Sequence, residues 1–245
     1  MMGKDEITRI CLWSGPRNIS TTMMYSFAQR KDTLVFDEPL YAHYLCNSPA
    51  DTYHPGASEV IKSQENKGEK VIEMMLGNHK KPIVFFKNMT HHLLGLDRSF
   101  MKNVFNVILT RDPFEMLPSF AKVIENPTMD DVGYDKQAEL ITYLKKEKCN
   151  YFVLDSKRVL LNPKKILLQC CDLMGIPFDE QMLHWDLGPR PEDGVWAKYW
   201  YHNIHHSKGY KKYQPKEEPF PKKLQPLLEA CQFHYSKIVA GALIH

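Results

Sequence analysis

The chain has 245 residues, 43% of them hydrophobic and 25% charged, with a formal net charge of +3 at pH 7. That length can bury a sizeable core within one domain, and so small a net charge excludes bulk electrostatic binding of nucleic acid or of a membrane surface. Six cysteines with neither a C-x-x-C pair nor a metal-ligand rhythm argue against a disulfide framework and predict reduced thiols packed as small hydrophobes.

In chain order, Ile7 to Trp13 reads as a strand and runs into Ser14-Gly15-Pro16-Arg17-Asn18-Ile19-Ser20-Thr21-Thr22, a Gly-Pro turn with one cation and a cluster of hydroxyls. A helix begins near Ser20 and continues to Arg30, so backbone N–H groups and the helix N-terminus converge on one anion, phosphate or sulfate. The spacing departs from an ATP-type P-loop: counted from Gly15, Ser20 stands at the second glycine, Thr21 stands at the lysine, and only Thr22 fits its slot. A Gly-Pro turn with a serine N-cap accounts for the same residues without a ligand.

Thr33 to Phe36 is a second strand, ending in Asp37-Glu38-Pro39. After polar text from Cys46 to Pro55, the stretch Ser58 to Leu76 reads as a helix with Val60, Ile61, Val71 and Met74 on one packed face. Pro82 to Phe86, Asn106 to Leu109 and Tyr151 to Leu154 are short apolar runs of the kind found in buried parallel strands. They end at Lys87, at Thr110-Arg111-Asp112-Pro113 and at Asp155-Ser156, the polar ends that a ligand crevice along the carboxyl edge of a parallel sheet requires. Helices are expected over Phe114 to Glu125, Asp135 to Lys146 and Pro163 to Met174, the last with Pro163 in its first turn and Gly175 as its stop. Trp185 to Pro221 is irregular and rich in aromatics, His and Lys, and a final helix runs from Leu224 to Ala242. Nothing splits the chain, so one α/β domain over 1–245 is expected, a central parallel sheet with helices on both faces. There is no secretory signal pattern and no apolar run near about 18 residues, which predicts a cytoplasmic protein without a membrane span.

Three separated motifs resemble the P-loop sulfotransferases that use 3′-phosphoadenosine 5′-phosphosulfate (PAPS). Pro16 to Thr22 is similar to that family's 5′-phosphosulfate loop, usually P-[KR]-S-G-T-T, with one extra residue and no second glycine. Val107 to Pro113 followed by Ser119 looks like the 3′-phosphate element, an Arg at a strand end and a Ser eight residues later, here Arg111 and Ser119. Phe152 to Ser156, Leu161-Asn162-Pro163 and Leu173 to Phe178 resemble a structural segment of the same family. Ser207-Lys208-Gly209 is similar to the Lys/Arg-Gly pair of its nucleotide-closing loop.

The resemblance implies a P-loop-type sheet and a PAPS-dependent sulfotransferase acting on a hydroxyl or amine of a small-molecule acceptor. PAPS is then a cosubstrate, no metal is demanded, and a homodimer is left open. Gly15, Pro16, Arg17, Asn18, Ser20, Thr21 and Thr22 would hold the 5′-phosphosulfate, Arg111 and Ser119 the 3′-phosphate, and Lys208 and Gly209 would close on the nucleotide. The chemistry agrees, since sulfuryl transfer needs stabilised charge on the departing oxygens and a base for the acceptor proton. Glu38 is favoured as that base, with His91 and His92 as rivals; Asp37, Glu38 and His91 serve equally as helix caps. Lys87 either faces the transferred sulfate or ends its strand in solvent. The aromatic groups Trp196 to His202 and Tyr41, His43, Tyr44 either pack a loop on the core or wall the acceptor pocket. Two rival functions are a P-loop phosphotransferase with Asp155 as a Walker-B-like aspartate and a non-catalytic nucleotide-binding module.

Overall fold

The computed structural model of the protein describes residues 7–215 and 218–240. The five apolar runs form strands β1 (Thr8–Ser14), β2 (Thr33–Asp37), β3 (Ile83–Met89), β4 (Phe105–Thr110) and β5 (Tyr151–Asp155). All pair in parallel, in the order β2-β3-β1-β4-β5. Parallel strands need crossovers, and helices supply them: α1 (Ser20–Ala28), α2 (Tyr41–Cys46), α3 (Ala57–Ser63), α4 (Gly68–Leu76), α5 (Pro113–Phe120), α6 (Met129–Val132) and α7 (Tyr134–Lys146); after β5 come α8 (Ser156–Leu161), α9 (Pro163–Met174), α10 (Ala197–Trp200), α11 (His202–His205) and α12 (Gln225–Ala240).

The period of two along each strand divides the core. Ile10, Leu12, Val35, Phe85 and Leu109 face one side, where α1, α2 and α9 cover them. Cys11, Trp13, Val84, Phe86 and Ile108 face the other, under α4, α5, α7 and α12. Each such side chain contributes about 1.5–3 kcal/mol on burial. Inside the second layer the Trp13 indole is satisfied, donating to Asn106 Oδ1 at 3.0 Å.

Three elements differ from the sequence reading. Ser58 to Leu76 is two helices, α3 and α4, because Gln64 leaves the helical path with an extended backbone. Its amide serves other main chain instead: Nε2 donates to the Glu38 carbonyl at 3.1 Å and Oε1 accepts from Ala42 N–H at 3.2 Å. The helix expected to reach Glu125 ends at Phe120, whose carbonyl accepts from both Val123 and Ile124 N–H, tightening the last turn. Strand β3 continues past Phe86 because Lys87, Asn88 and Met89 stay in register with Leu12, Trp13 and Ser14 of β1. The irregular stretch after Trp185 contains the single turns α10 and α11; the expected end of the last helix at Ala242 lies outside the described residues. All six cysteines are free, and only Cys46 is exposed. Among the described residues no helix is long and apolar enough to cross a membrane.

Candidate active site

The carboxyl ends of β1, β2, β3 and β4 open on one cavity of about 400 Å³. The loop after β1 forms its floor. Gly15 is required there, since a Cβ would stand 2.9 Å from the Val132 carbonyl. Arg17 (φ 57°) and Ile19 (φ 63°) both adopt the left-handed region, a conformation that turns successive N–H groups toward one centre. Ile19 thus takes the backbone shape that a second glycine would supply, at a steric cost unusual for a β-branched residue. Asn18 is buried, and Ser156 Oγ, 2.8 Å from its carbonyl and 2.7 Å from that of Thr110, ties the loop to β4. Ser20, Thr21 and Thr22 open α1 and line the cavity, where the first N–H groups of a helix lack intrahelical partners.

Two guanidinium groups stand beside this loop. Arg17 Nε donates to Ser119 Oγ at 3.1 Å and Nη1 to the Trp200 carbonyl at 3.0 Å. Arg111 Nη1 donates to the Arg17 carbonyl at 3.0 Å, while Nε and Nη2 both lie 3.3 Å from Glu115 Oε2. Tyr213 donates to the other oxygen of Glu115. Burial and then the charge of Arg111 push the Arg17 pKa down, so an anion bound between them would relieve both. The Arg17 guanidinium is thus shared between Ser119, the residue expected at the 3′-phosphate, and the Trp200 carbonyl. Gly209 lines the cavity, but Lys208 does not; it lines an adjoining groove, and Lys211 takes the cavity-facing place. Gly209 pairs here with His184 in an isolated antiparallel bridge.

The cavity is also lined by a buried ion cluster. Asp37 lies directly across from Lys87 in the β2–β3 register. Lys87 Nζ donates to Asp37 Oδ1 at 2.8 Å, to Glu38 Oε1 at 2.5 Å and to the Tyr201 hydroxyl at 2.5 Å. Lys87 is accordingly neither a solvated strand end nor free to reach a ligand with an unused hydrogen. Burial opposes its charge, yet Asp37 and Glu38 hold its pKa above the ordinary lysine range. Burial raises the Glu38 pKa, with Lys87 pulling it down and Asp37 pushing it up. Glu38 also has a left-handed backbone (φ 42°), held by the Gln64 bond to its carbonyl. Neither Asp37 nor Glu38 caps a helix, since α2 starts at Tyr41 after an uncapped Leu40.

His91 and His92 lie within a 3₁₀ turn, Thr90–Leu93, and line the same cavity. His91 does not cap it. Burial pushes the His91 pKa down to about 3, and burial together with His91 takes His92 well below its ordinary value. His92 stacks on Tyr41, with centroids 4.9 Å apart. The Tyr41 hydroxyl bonds His54 Nδ1 at 2.8 Å, and His54 Nε2 stands 3.9 Å from Asp131 Oδ1. Of the aromatic groups, Tyr41, Trp196 and Tyr201 are buried and also line the cavity, whereas His43 turns away to the Leu94 carbonyl.

His54, Asp131 and Lys211 were not marked by any local motif, because each reaches the cavity through tertiary packing alone. Asp155, the Walker-B-like candidate, caps α8 through Lys157 and Arg158 N–H and accepts from Tyr235, without lining the cavity.

Comparison with known proteins places residues 8–242 in a match to the family described as "Sulfotransferase domain". Two Arabidopsis thaliana proteins, branched-chain-amino-acid aminotransferase-like proteins 2 and 1, are each 38% identical to the chain, over 89% and 93% of it. The chain covers 39% and 40% of them, so it spans about two fifths of the length of these curated relatives. Among solved structures, the sulfotransferase domain from the curacin biosynthetic pathway aligns with a TM-score of 0.55 at 15% identity, over 94% of this chain and 99% of that one. The sulfotransferase domain from the Synechococcus PCC 7002 olefin synthase gives 0.53 at 16%, over 94% and 96%. A sulfotransferase from Alicyclobacillus acidocaldarius gives 0.56 at 11%, over 96% of each chain. At these identities the structures share the fold.

Proposed function

The chain belongs to the sulfotransferase-domain family, and on that premise we propose that it transfers a sulfuryl group from PAPS to a hydroxyl or amine of a small-molecule acceptor. What supports the reading is one cavity lined both by a pair of guanidinium groups beside the loop after β1 and by the ionisable cluster of Glu38 and Lys87. Two cations beside an open N–H cradle suit a ligand with two separate anionic groups, and the cavity volume suits a nucleotide. When bound, PAPS supplies a sulfuryl group activated by its phosphosulfate anhydride bond.

In this scheme Arg111 and Ser119 hold the 3′-phosphate, and Arg17, Ser20, Thr21 and Thr22 hold the 5′ end. The groups at the 5′ end also stabilise the charge that grows on the bridging oxygen as its bond to sulfur breaks. Glu38 receives the proton of the acceptor as the new bond to sulfur forms. Its pKa, raised by burial, brings a carboxylate closer to neutral pH, which suits a base. His91 and His92, with pKa values driven down, are the poorer acceptors of a proton and instead shape the acceptor wall with Tyr41 and Trp196. Calorimetric titration with 3′-phosphoadenosine 5′-phosphate, AMP and ATP tests the nucleotide assignment. The first should bind at least about tenfold more tightly than AMP, since each charge-assisted bond to the extra phosphate is worth roughly 1.5–3 kcal/mol. Equal affinities would remove the basis of the reading.

A further inference from the structure

Taking Glu38 as the proton acceptor, we propose that Tyr201 is a positioning residue whose phenol fixes Lys87 and Asp37 and thereby sets how Glu38 is presented to the cavity. The phenol is the meeting point of Lys87, Trp196, Asp37 and, from the anion loop, Thr21. The Lys87 ammonium has three hydrogens and three acceptors, Asp37, Glu38 and Tyr201. The phenol oxygen accepts from Lys87 and from Trp196 Nε1 at 3.2 Å, and its own hydrogen goes to Asp37, whose two oxygens both lie 2.8 Å away. Asp37 Oδ2 also takes the Gly194 N–H at 3.1 Å. The placement of the phenol is set from the anion loop as well, because the carbonyl of the preceding residue, Trp200, accepts from Arg17.

The ionisable groups acting on Glu38 come from several elements: Asp37 beside it, Lys87 from β3, Tyr41 from α2, His54 from the segment after α2, and Tyr201 from between α10 and α11. Removing the phenol leaves Lys87 one acceptor short, Asp37 one donor short and the buried Trp196 N–H without its acceptor. Asp37, less well satisfied, would draw Lys87 toward itself and away from Glu38, and its charge would press harder on Glu38. Glu38 should then hold its proton to higher pH.

The test compares wild type with Tyr201→Phe by ¹³C NMR titration of the Glu38 carboxyl, assigned through its loss in Glu38→Gln, alongside steady-state turnover. The expected result is a Glu38 midpoint about one pH unit higher, and kcat on its acid limb lower by up to about tenfold with both KM values within about threefold. Affinity for 3′-phosphoadenosine 5′-phosphate, unchanged, reports an intact fold. An unmoved midpoint, or a loss of turnover that only follows lost nucleotide affinity, would overturn the proposal. Should Tyr201→Phe fail to fold, Trp196→Phe, which removes one donor to the phenol, should move the midpoint the same way by a smaller amount, and no movement there overturns it equally. The NMR midpoint needs no turnover, so a Glu38→Gln variant with wild-type activity would sink the base assignment while leaving the positioning result readable by itself.

Discussion

Arg17 and Ser119, 102 residues apart in the chain, meet with Nε and Oγ 3.1 Å apart. The contact joins the loop after β1 to the helix after β4, so the two elements proposed to hold the phosphates share one wall. It also means that an arriving anion competes with an existing hydrogen bond rather than filling an inert space.

Arg111→Ala should abolish the preference for 3′-phosphoadenosine 5′-phosphate over AMP, because the guanidinium is the planar fork for the extra phosphate. Ser119→Ala should cost less, about 1 kcal/mol or roughly fivefold in affinity, since it removes a single hydroxyl. Calorimetry on both variants checks the order; a Ser119 effect exceeding that of Arg111 would reverse the assignment.

Arg17→Ala should reduce kcat more than it weakens product-nucleotide binding, because its charge counts most as negative charge develops on the bridging oxygen. The measurement is kcat and KM for PAPS beside the product Kd. Wild-type kcat with only a raised KM would make Arg17 a residue that merely positions the donor.

The pH dependence separates the base candidates. A base must be ionised or neutral to accept a proton, so turnover rises with pH through its pKa. Glu38, raised by burial, places the acid limb of kcat above the ordinary glutamate value of about 4.3. His91, pushed to about 3, would place it at or below that value. A kcat profile flat from pH 4 to pH 7 would therefore count against Glu38.

Asp131 gives a stability signature. Burial acts against its charge, but His54 alongside and hydrogen bonds from Tyr53 and Thr128 hold the carboxyl below the ordinary aspartate range. A depressed folded pKa contributes stability that is present above the unfolded value, about 3.9, and is lost as pH falls through the folded one. Wild type should melt higher than Asp131→Asn at pH 7, and the gap should shrink as the pH is taken below about 4. A gap independent of pH would mean that the carboxylate charge does not contribute.

The parts legible in the sequence are those fixed by short-range spacing. Apolar runs gave away the strands, and polar strand ends located Glu38, Lys87 and Arg111 at one sheet edge. Arg111 and Ser119 stand out in the sequence through the resemblance to a family element whose eight-residue offset is a local relation, and both line the cavity. Tyr201 was seen only as one of several aromatics, since its partners Asp37 and Lys87 are 164 and 114 residues away. The break between α3 and α4 escaped notice because its cause, the Gln64 side chain bonding the main chain around Glu38, is tertiary. Ile19 in a left-handed conformation also runs against its own propensity, which is why the loop looked incomplete without a second glycine.

The most direct measurement is transfer of ³⁵S from labelled PAPS by wild type and Glu38→Gln, at saturating acceptor, with the affinity of each for 3′-phosphoadenosine 5′-phosphate measured in parallel. The account predicts acceptor-dependent transfer by wild type, a loss of about 10²- to 10⁴-fold in kcat for the variant, and nucleotide affinity within about threefold, because the Glu38 carboxylate bonds Lys87 and neither guanidinium. Near-wild-type turnover by Glu38→Gln, with His91→Ala or His92→Ala inactive yet still binding nucleotide, would contradict it.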